Sequence, residues 1–480
     1  MQSGSGALTK LFVGVFMVLS WILVLARAIP ERNGDRGVFV SMAERLAAGD
    51  TLYVDVWDNK EPLFFLTLAA GRTVSPFMDV VTEALWIAAT ALASFAILQT
   101  RVSCRWISAL VGFSLVPLII TGAIYYAGFT HLPSTALVIS GYALLIRGKA
   151  LWAGGLIPVL VGFKIILVPV ALALLVSWFL LERNRRELVR YALGSAAATL
   201  ILVILLLVRG EFRGFIDLIL SNIGYSQSMI SDAYAIPIWV HIEPVLQGPA
   251  VAVTSVIVFL LAMTRITASR ADDLLWWGTL AALLSSMLVI AITGLWPHHG
   301  QILYVPAVLA ILLACSVLLR QASIGPASAI LLIALAIVLS GAPSLRATVD
   351  QVLSARGKLM DLARISDATQ DLLSVAPSGA TYARLGKNTD DSHAQGLRSL
   401  GHPCYQFVQY TYDLPATLTR IPECLPSADF VIVDKGLIPE DGAARWNTFV
   451  AESETALREH FECAEEPWGR LCTNKNAQRS

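Results

Sequence analysis

The chain reads as a polytopic α-helical membrane protein that carries a small α/β domain at its C-terminal end. Three observations lead there. Of its 480 residues 56% are hydrophobic and 15% charged, with a mean hydropathy of +0.66, whereas soluble domains carry roughly 25% charged residues. Apolar runs of roughly 20 residues, the length of a bilayer crossing, recur between residues 11 and 342. Roughly half of the 35 acidic residues fall after Pro343, which marks off a water-soluble segment. Acids and bases balance at 35 each, so no global field draws the chain to nucleic acid, and no nucleic-acid partner is expected.

The first apolar run, LFVGVFMVLSWILVLARA, follows Lys10 and ends in an Ala26-Arg27-Ala28 pattern that a signal peptidase could cut. The run is long for a signal peptide and many others follow it, so it is read as an uncleaved first helix. Spans are expected near 11–29, 81–99, 107–124, 134–147, 151–164, 167–181, 191–208, 246–264, 274–294, 302–319 and 326–342. Basic connections at 101–105, 147–149, 182–190, 264–270 and 318–321 belong on the cytoplasmic side. Their parity requires two crossings between Lys149 and Glu182, hence a helical hairpin there. The count is about eleven, with the N-terminus inside and the C-terminal domain outside. The membrane domain is taken as 1–342 and the soluble domain as 343–480.

The connection 30–80 is the most informative segment. It mixes acids (Glu31, Asp35, Glu44, Asp50, Asp55, Asp58, Glu61) with bases (Arg32, Arg36, Arg45, Lys60) beside lipid, where ionisable groups are costly. From Gly37, Val38, Met42 and Leu46 recur at helical spacing, which predicts a short helix in the interface. After Pro62 the run LFFLTLAAG is too short to span, which predicts a second interfacial or re-entrant helix.

The C-terminal segment predicts strands at 379–384 and 428–436, an amphipathic helix at 445–461 and a closing hairpin at 461–474. It holds Cys404, Cys424, Cys463 and Cys472. An even number in an exported domain points to two disulfides. Of the three connectivities the local one, Cys404–Cys424 with Cys463–Cys472, is preferred. No CxxC occurs, which argues against zinc, and Cys104 and Cys315 read as ordinary buried residues.

Asp35 leads the candidate chemistry. A carboxylate just beyond the first span can take a proton from a hydroxyl nucleophile, an effect of about 10²–10⁴ in rate. The plainer role is an N-cap, which the missing Glu or Gln three residues later weakens. Lys60 sits where the chain re-enters the interface, the depth of a lipid-borne phosphate; its plainer role is snorkelling. Lys164, in VGFKIILVPV, is a second cation for an anion if the 151–181 hairpin turns there. Arg36, with Arg32, is a further cationic candidate. His298 and His299, followed by Gln301 and Tyr304, can donate to phosphate or sugar hydroxyls, although aromatic and His residues also decorate interfaces without further role. Tyr53, Asp55, Asp58 and Glu61 are candidate substrate contacts. The 209–245 connection adds Tyr225, Gln227, Asp232, Tyr234, Trp239, His241 and Glu243, a mixture suited to a sugar cleft but unspecific. No nucleotide-binding GxxxxGK[ST], nucleophile-elbow GxSxG or zinc-protease HExxH motif appears.

Asp35-Arg-Gly, Ala43-Glu-Arg-Leu-Ala-Ala-Gly49, Tyr53-Val-Asp55 and Asp58-Asn-Lys60-Glu-Pro62 resemble the first-loop pattern of bacterial C-type (GT-C) membrane glycosyltransferases, the polyprenyl-phosphate-sugar-dependent group that includes protein mannosyltransferases and aminoarabinose transferases. WPHHGQILYVPAVLA (296–310) resembles a late segment of many members. The resemblance implies a sugar donor on polyprenyl phosphate, a glycan, lipid or protein acceptor in the cell envelope, and a bacterial plasma-membrane location. It implies that Asp35 is the catalytic carboxylate and that Lys60 contacts the carrier phosphate. No cofactor is assigned, and the need for a divalent metal stays open. Two other readings compete: a transporter or flippase of a lipid-linked or polar solute, and a non-catalytic assembly protein. The transporter reading calls for midplane charges and paired repeats, which the sequence does not display.

Overall fold

The structure is a computed structural model. It describes residues 3–29, 35–56, 58, 60–122, 130–220, 222, 249–267, 272–292, 297–321, 345–362, 366–385, 397–399, 420–435 and 444–476; within these, the side chains of residues 35–38, 41 and 297–299 are among those outside the description. The chain packs as two compact units. The first comprises 1–30, 79–205 and 226–358; the second comprises 31–78, 206–225 and 359–480.

The first unit is helical. Its elements are α1 (Ser3–Ala28), α4 (Met78–Gln99), α5 (Arg105–Leu110) running through a π turn into α6 (Val116–Gly122), α7 (His131–Ile146), α8 (Ala150–Lys164), α9 (Val168–Glu182) and α10 (Arg185–Val208). After them come α12 (Pro249–Thr267), α13 (Asp273–Ile292) and α14 (Tyr304–Gln321). Among the described residues, five helical stretches are long and apolar enough to cross a membrane, and shorter apolar helices cover the other expected spans up to 319. The expected span 326–342, and the proposed domain boundary beside it, lie outside the described residues.

Side-chain exposure follows the solvent. Leu200, Ile201, Leu207 and Val208 on α10 are each more than half exposed, a surface that water would penalise and acyl chains accept. By contrast α14 is buried almost end to end, with Val305, Val308, Leu309, Leu312 and Leu313 at 0% exposure. The Tyr142 hydroxyl donates to the Leu274 carbonyl, joining α7 to α13 where Gly278 leaves room for the phenol.

The predicted hairpin is present. The helix breaks at Lys164, whose backbone turns extended (φ −168°, ψ 92°), and a 3₁₀ turn over Ile165–Leu167 leads into α9. Near their N-terminal ends α8 and α10 cross at two glycines: a Cβ on Gly154 would lie 1.9 Å from the Tyr191 carbonyl oxygen, and one on Gly194 1.9 Å from that of Leu151. Since α9 ends where α10 begins, it runs back along the direction of α8. Small residues allow such backbone contact between membrane helices.

The second unit joins the 31–78 connection, the stretch 206–225 and the α/β domain. Its first elements are α2 (Asp35–Ala47) and α3 (Pro62–Arg72), the two short helices expected from sequence. With 11 residues α3 is ~16 Å long, well below the ~30 Å of a hydrocarbon core. A helix over 212–220, here α11, follows α10. The C-terminal part adds α15 (Leu345–Leu362, which straddles the boundary at 358), α16 (Asp367–Val375), α17 (Arg420–Cys424) and α18 (Ala444–His460).

These helices accompany a five-stranded sheet ordered β2-β1-β3-β5-β4, where β1 is Thr381–Leu385, β2 Arg398–Ser399, β3 Phe430–Asp434, β4 Phe461–Glu466 and β5 Gly469–Asn474. The central strand β3 runs parallel to β1 and antiparallel to β5. All five of its residues are buried, as expected of a strand covered on both faces. Val431, Val433, Leu457 and Phe461 pack on one face under α18, and Leu372, Tyr382, Ile432 and Leu471 on the other under α16. At the end of β3 the Arg384 guanidinium donates to both oxygens of Asp434 at 3.0 and 2.9 Å.

Cys463 and Cys472 sit opposite one another across the antiparallel pair β4–β5 and form a disulfide. Cys424 is also disulfide-bonded, and its expected partner, Cys404, lies outside the described residues. Cys104 and Cys315 are free thiols. Closing a loop this short removes chain entropy worth about 2.5–3 kcal/mol from the unfolded state. Cys463→Ser is therefore expected to speed amide exchange in β5 about 100-fold. Hydrogen-exchange mass spectrometry of the whole protein reads this, and unchanged protection in β5 would refute it.

Candidate functional site

The site is built in the first connection, on the second unit. Its frame is the contact between α2 and α3. Phe39 meets Phe64 edge-on at 5.1 Å and Phe65 at 5.8 Å between ring centroids, an arrangement favoured by the ring quadrupoles. Arg72 at the end of α3 pairs with Glu44 of α2 and also donates to the Pro76 carbonyl. Pro62 opens α3 at a position where a missing N–H costs nothing, and Glu61 precedes it with extended backbone.

Between the helices the chain folds into a tight turn. Leu52 and Val56 are fully buried and bridge each other. Asp55 closes the turn by accepting the Thr51 N–H at 2.8 Å. Tyr53, within it, has φ 66°; a bulky side chain in this left-handed region costs about 1–3 kcal/mol and persists only where its surroundings fix it. The fixing contacts are visible: its N–H donates to the Val56 carbonyl at 2.6 Å, and its hydroxyl to the Lys60 carbonyl at 2.7 Å. Burial raises the Tyr53 phenol well above its ordinary range, and the carboxylates of Glu61, Asp58 and Glu211 push it further, so the hydroxyl remains a donor.

Lys60 follows directly. Asp58, 1% exposed, accepts the Lys60 N–H at 2.9 Å, and the same oxygen lies 3.7 Å from the Lys60 ammonium. That ammonium also stands 5.4 Å from the centre of the Phe39 ring, within cation–π range. Backbone and side chain of Lys60 are thus both held at the entry to α3, where the next residue is the buried Glu61.

The other sequence candidates distribute as follows. Asp35 begins α2 and Arg36 follows it, but both side chains lie outside the described residues. His298 and His299 occupy a 3₁₀ turn over Pro297–Leu303, again without described side chains. Tyr304 starts α14, 3% exposed, within electrostatic reach of Glu83. Lys164, 9% exposed, ends α8 at the break of the hairpin. Lys164 and Tyr304 belong to the first unit and Lys60 to the second. The stretch 223–248, with Tyr225, Gln227, Asp232, Tyr234, Trp239, His241 and Glu243, lies outside the described residues.

Sequence reasoning missed Glu211, Asp79 and Glu83, all at most 4% exposed. Glu211 is paired with Arg209 at 2.8 Å. The signal was present: an acid inside or at the edge of an apolar run is costly unless it has a use. Among the described residues no three His, Cys, Asp or Glu side chains stand close enough to hold a metal ion.

One comparison decides the fold. The chain is similar to the crystal structure of ArnT from Cupriavidus metallidurans bound to undecaprenyl phosphate, with a TM-score of 0.56 and 14% identity over 98% of each chain. The chain shares the fold of that protein. No family profile and no curated protein matches the chain in sequence. At this identity the likeness is one of architecture: a polytopic helical body with a small C-terminal sheet.

Proposed function

We propose that this chain is a membrane glycosyltransferase that moves a sugar from a polyprenyl-phosphate-linked donor to a glycan, lipid or protein acceptor of the cell envelope, on the outer face of a bacterial plasma membrane. The observation that carries this reading is Lys60: an ammonium steered by Asp58 and Phe39 at the foot of a helix too short to span. The C-type fold, shared with a protein seen bound to undecaprenyl phosphate, supplies the context. An amphiphilic carrier keeps its tail in lipid and its phosphate at the depth where such a helix lies.

In the proposed reaction Asp35 removes the proton from an acceptor hydroxyl. The oxygen attacks the anomeric carbon on the face opposite the phosphate and inverts it. The bond between that carbon and the phosphate oxygen breaks, and the electron pair leaves with polyprenyl phosphate. Negative charge grows on the leaving phosphate, and a fixed ammonium stabilises it most when the bond is breaking. In this reading Lys60 supplies the ammonium, and Arg36, on the same unit, is a further phosphate contact. Asp55, Asp58 and Glu61, in the same loop, are the proposed substrate contacts.

In proteoliposomes given a donor labelled in its sugar, the purified chain is expected to label an acceptor and release polyprenyl phosphate. Movement of intact donor between leaflets, with no release, would instead support a flippase and defeat the proposal.

A further inference from the structure

We propose that Gly214 and Tyr53 form a clamp that sets the position of Lys60, with helix α11 as its jaw. The inference rests on the reading of Lys60 as the phosphate-binding cation and names the device that aims it. The Tyr53 hydroxyl proton is given to the Lys60 carbonyl at 2.7 Å. Its ring is pressed from the other side by α11. A Cβ built on Gly214 would stand 2.3 Å from the Tyr53 Cβ, 3.1 Å from its Cγ and 3.3 Å from its Cδ2.

These distances leave no room for any residue but glycine unless the tyrosine moves. Tyr53 cannot move cheaply. It is 7% exposed, its backbone is left-handed, and its N–H is bound within the turn. Displacement of the ring would therefore travel through the hydroxyl to the Lys60 backbone, and from there to the ammonium. On α11, Phe215 and Leu218 are buried, so the helix is anchored by its own apolar face. Glu211, fully buried one turn before Gly214 and paired with Arg209, anchors its start. The 209–245 connection thus reaches the proposed donor site through packing and not through a contact with donor. Tyr53 and Gly214 act here as positioning residues.

Two measurements on the full-length protein in detergent or proteoliposomes test this. The first is independent of catalysis: the rate at which a water-soluble acylating reagent modifies Lys60, read by mass spectrometry. Tyr53→Phe keeps the ring and deletes the bond to Lys60; Gly214→Ala keeps the bond donor and displaces the ring. Both are expected to change the Lys60 acylation rate by about 3- to 10-fold, the scale of one hydrogen bond, while other exposed lysines are unaffected. Rates at Lys60 equal to the parent protein in both variants would overturn the clamp.

The second is the donor KM against kcat. Tyr53→Phe should raise KM for the polyprenyl-phosphate donor by about 3- to 10-fold, with kcat moving less, and should have no further effect on KM once Lys60 is alanine. An equal rise in the Lys60→Ala background would show that Tyr53 acts by another route and would overturn the proposal. If Lys60→Ala itself leaves donor KM unchanged, the phosphate assignment of Lys60 falls, and the acylation rates still decide the clamp.

Discussion

Asp35→Asn is expected to lower sugar transfer by about 10²- to 10⁴-fold, the contribution of a general base, with donor binding and yield of folded protein close to the parent. Asparagine separates the two roles open to residue 35. It matches aspartate in shape and is as good an N-cap, so the start of α2 at this residue should be kept. Its amide cannot accept the proton of an attacking hydroxyl. Loss of turnover with retained donor binding therefore isolates proton removal as the missing step. A more drastic change, to alanine, would mix loss of a cap with loss of a base. The measurement is release of labelled sugar under single-turnover conditions in proteoliposomes. Turnover within a few-fold of the parent would remove Asp35 from the mechanism.

Lys60→Ala should weaken donor binding by about 10- to 100-fold, the range of a hydrogen bond to a charged group. Two features of the site sharpen this. The Lys60 side chain is only 13% exposed and its ammonium lies 3.7 Å from Asp58, whose side chain is fully buried, so its attraction for phosphate is little screened by water. Removing it also leaves Asp58 with one partner fewer in a buried setting, which destabilises the turn. Lys60→Arg separates these effects. It restores a cation for Asp58 but offers a planar fork in place of a compact point charge. Arginine is expected to recover stability in full and donor affinity in part. A donor affinity for Lys60→Ala equal to that of the parent would end the assignment.

Much of the architecture was readable along the chain. Apolar runs located the described spans, and the basic connections required the 151–181 hairpin that α8, α9 and the Gly154–Gly194 crossing display. In the soluble segment, strand patterning located β1, β3 and the β4–β5 hairpin with its Cys463–Cys472 bond. Within the site, the short helices on either side of the charged turn follow from spacing and from Pro62. The bonding inside the turn does not follow from the sequence. In the fold, the Tyr53 hydroxyl and one Asp55 oxygen are committed to backbone groups of the same loop. Glu211 stands out along the chain as an acid at the edge of an apolar run, but its neighbours do not reveal that residues 211–214 meet residue 53.

The sequence by itself determined that this is a membrane protein with a folded C-terminal domain, because transfer to lipid and burial in a sheet depend on composition and period, which are local. Only the tertiary structure decided that the chain shares its fold with ArnT over 98% of its length, and that Lys60 is held by Asp58, Phe39 and the hydroxyl of Tyr53. Hydrogen bonds and ring contacts act over a few ångströms. Which side chains come within that range is set by how distant segments pack, and no linear pattern encodes the distance from Gly214 to Tyr53.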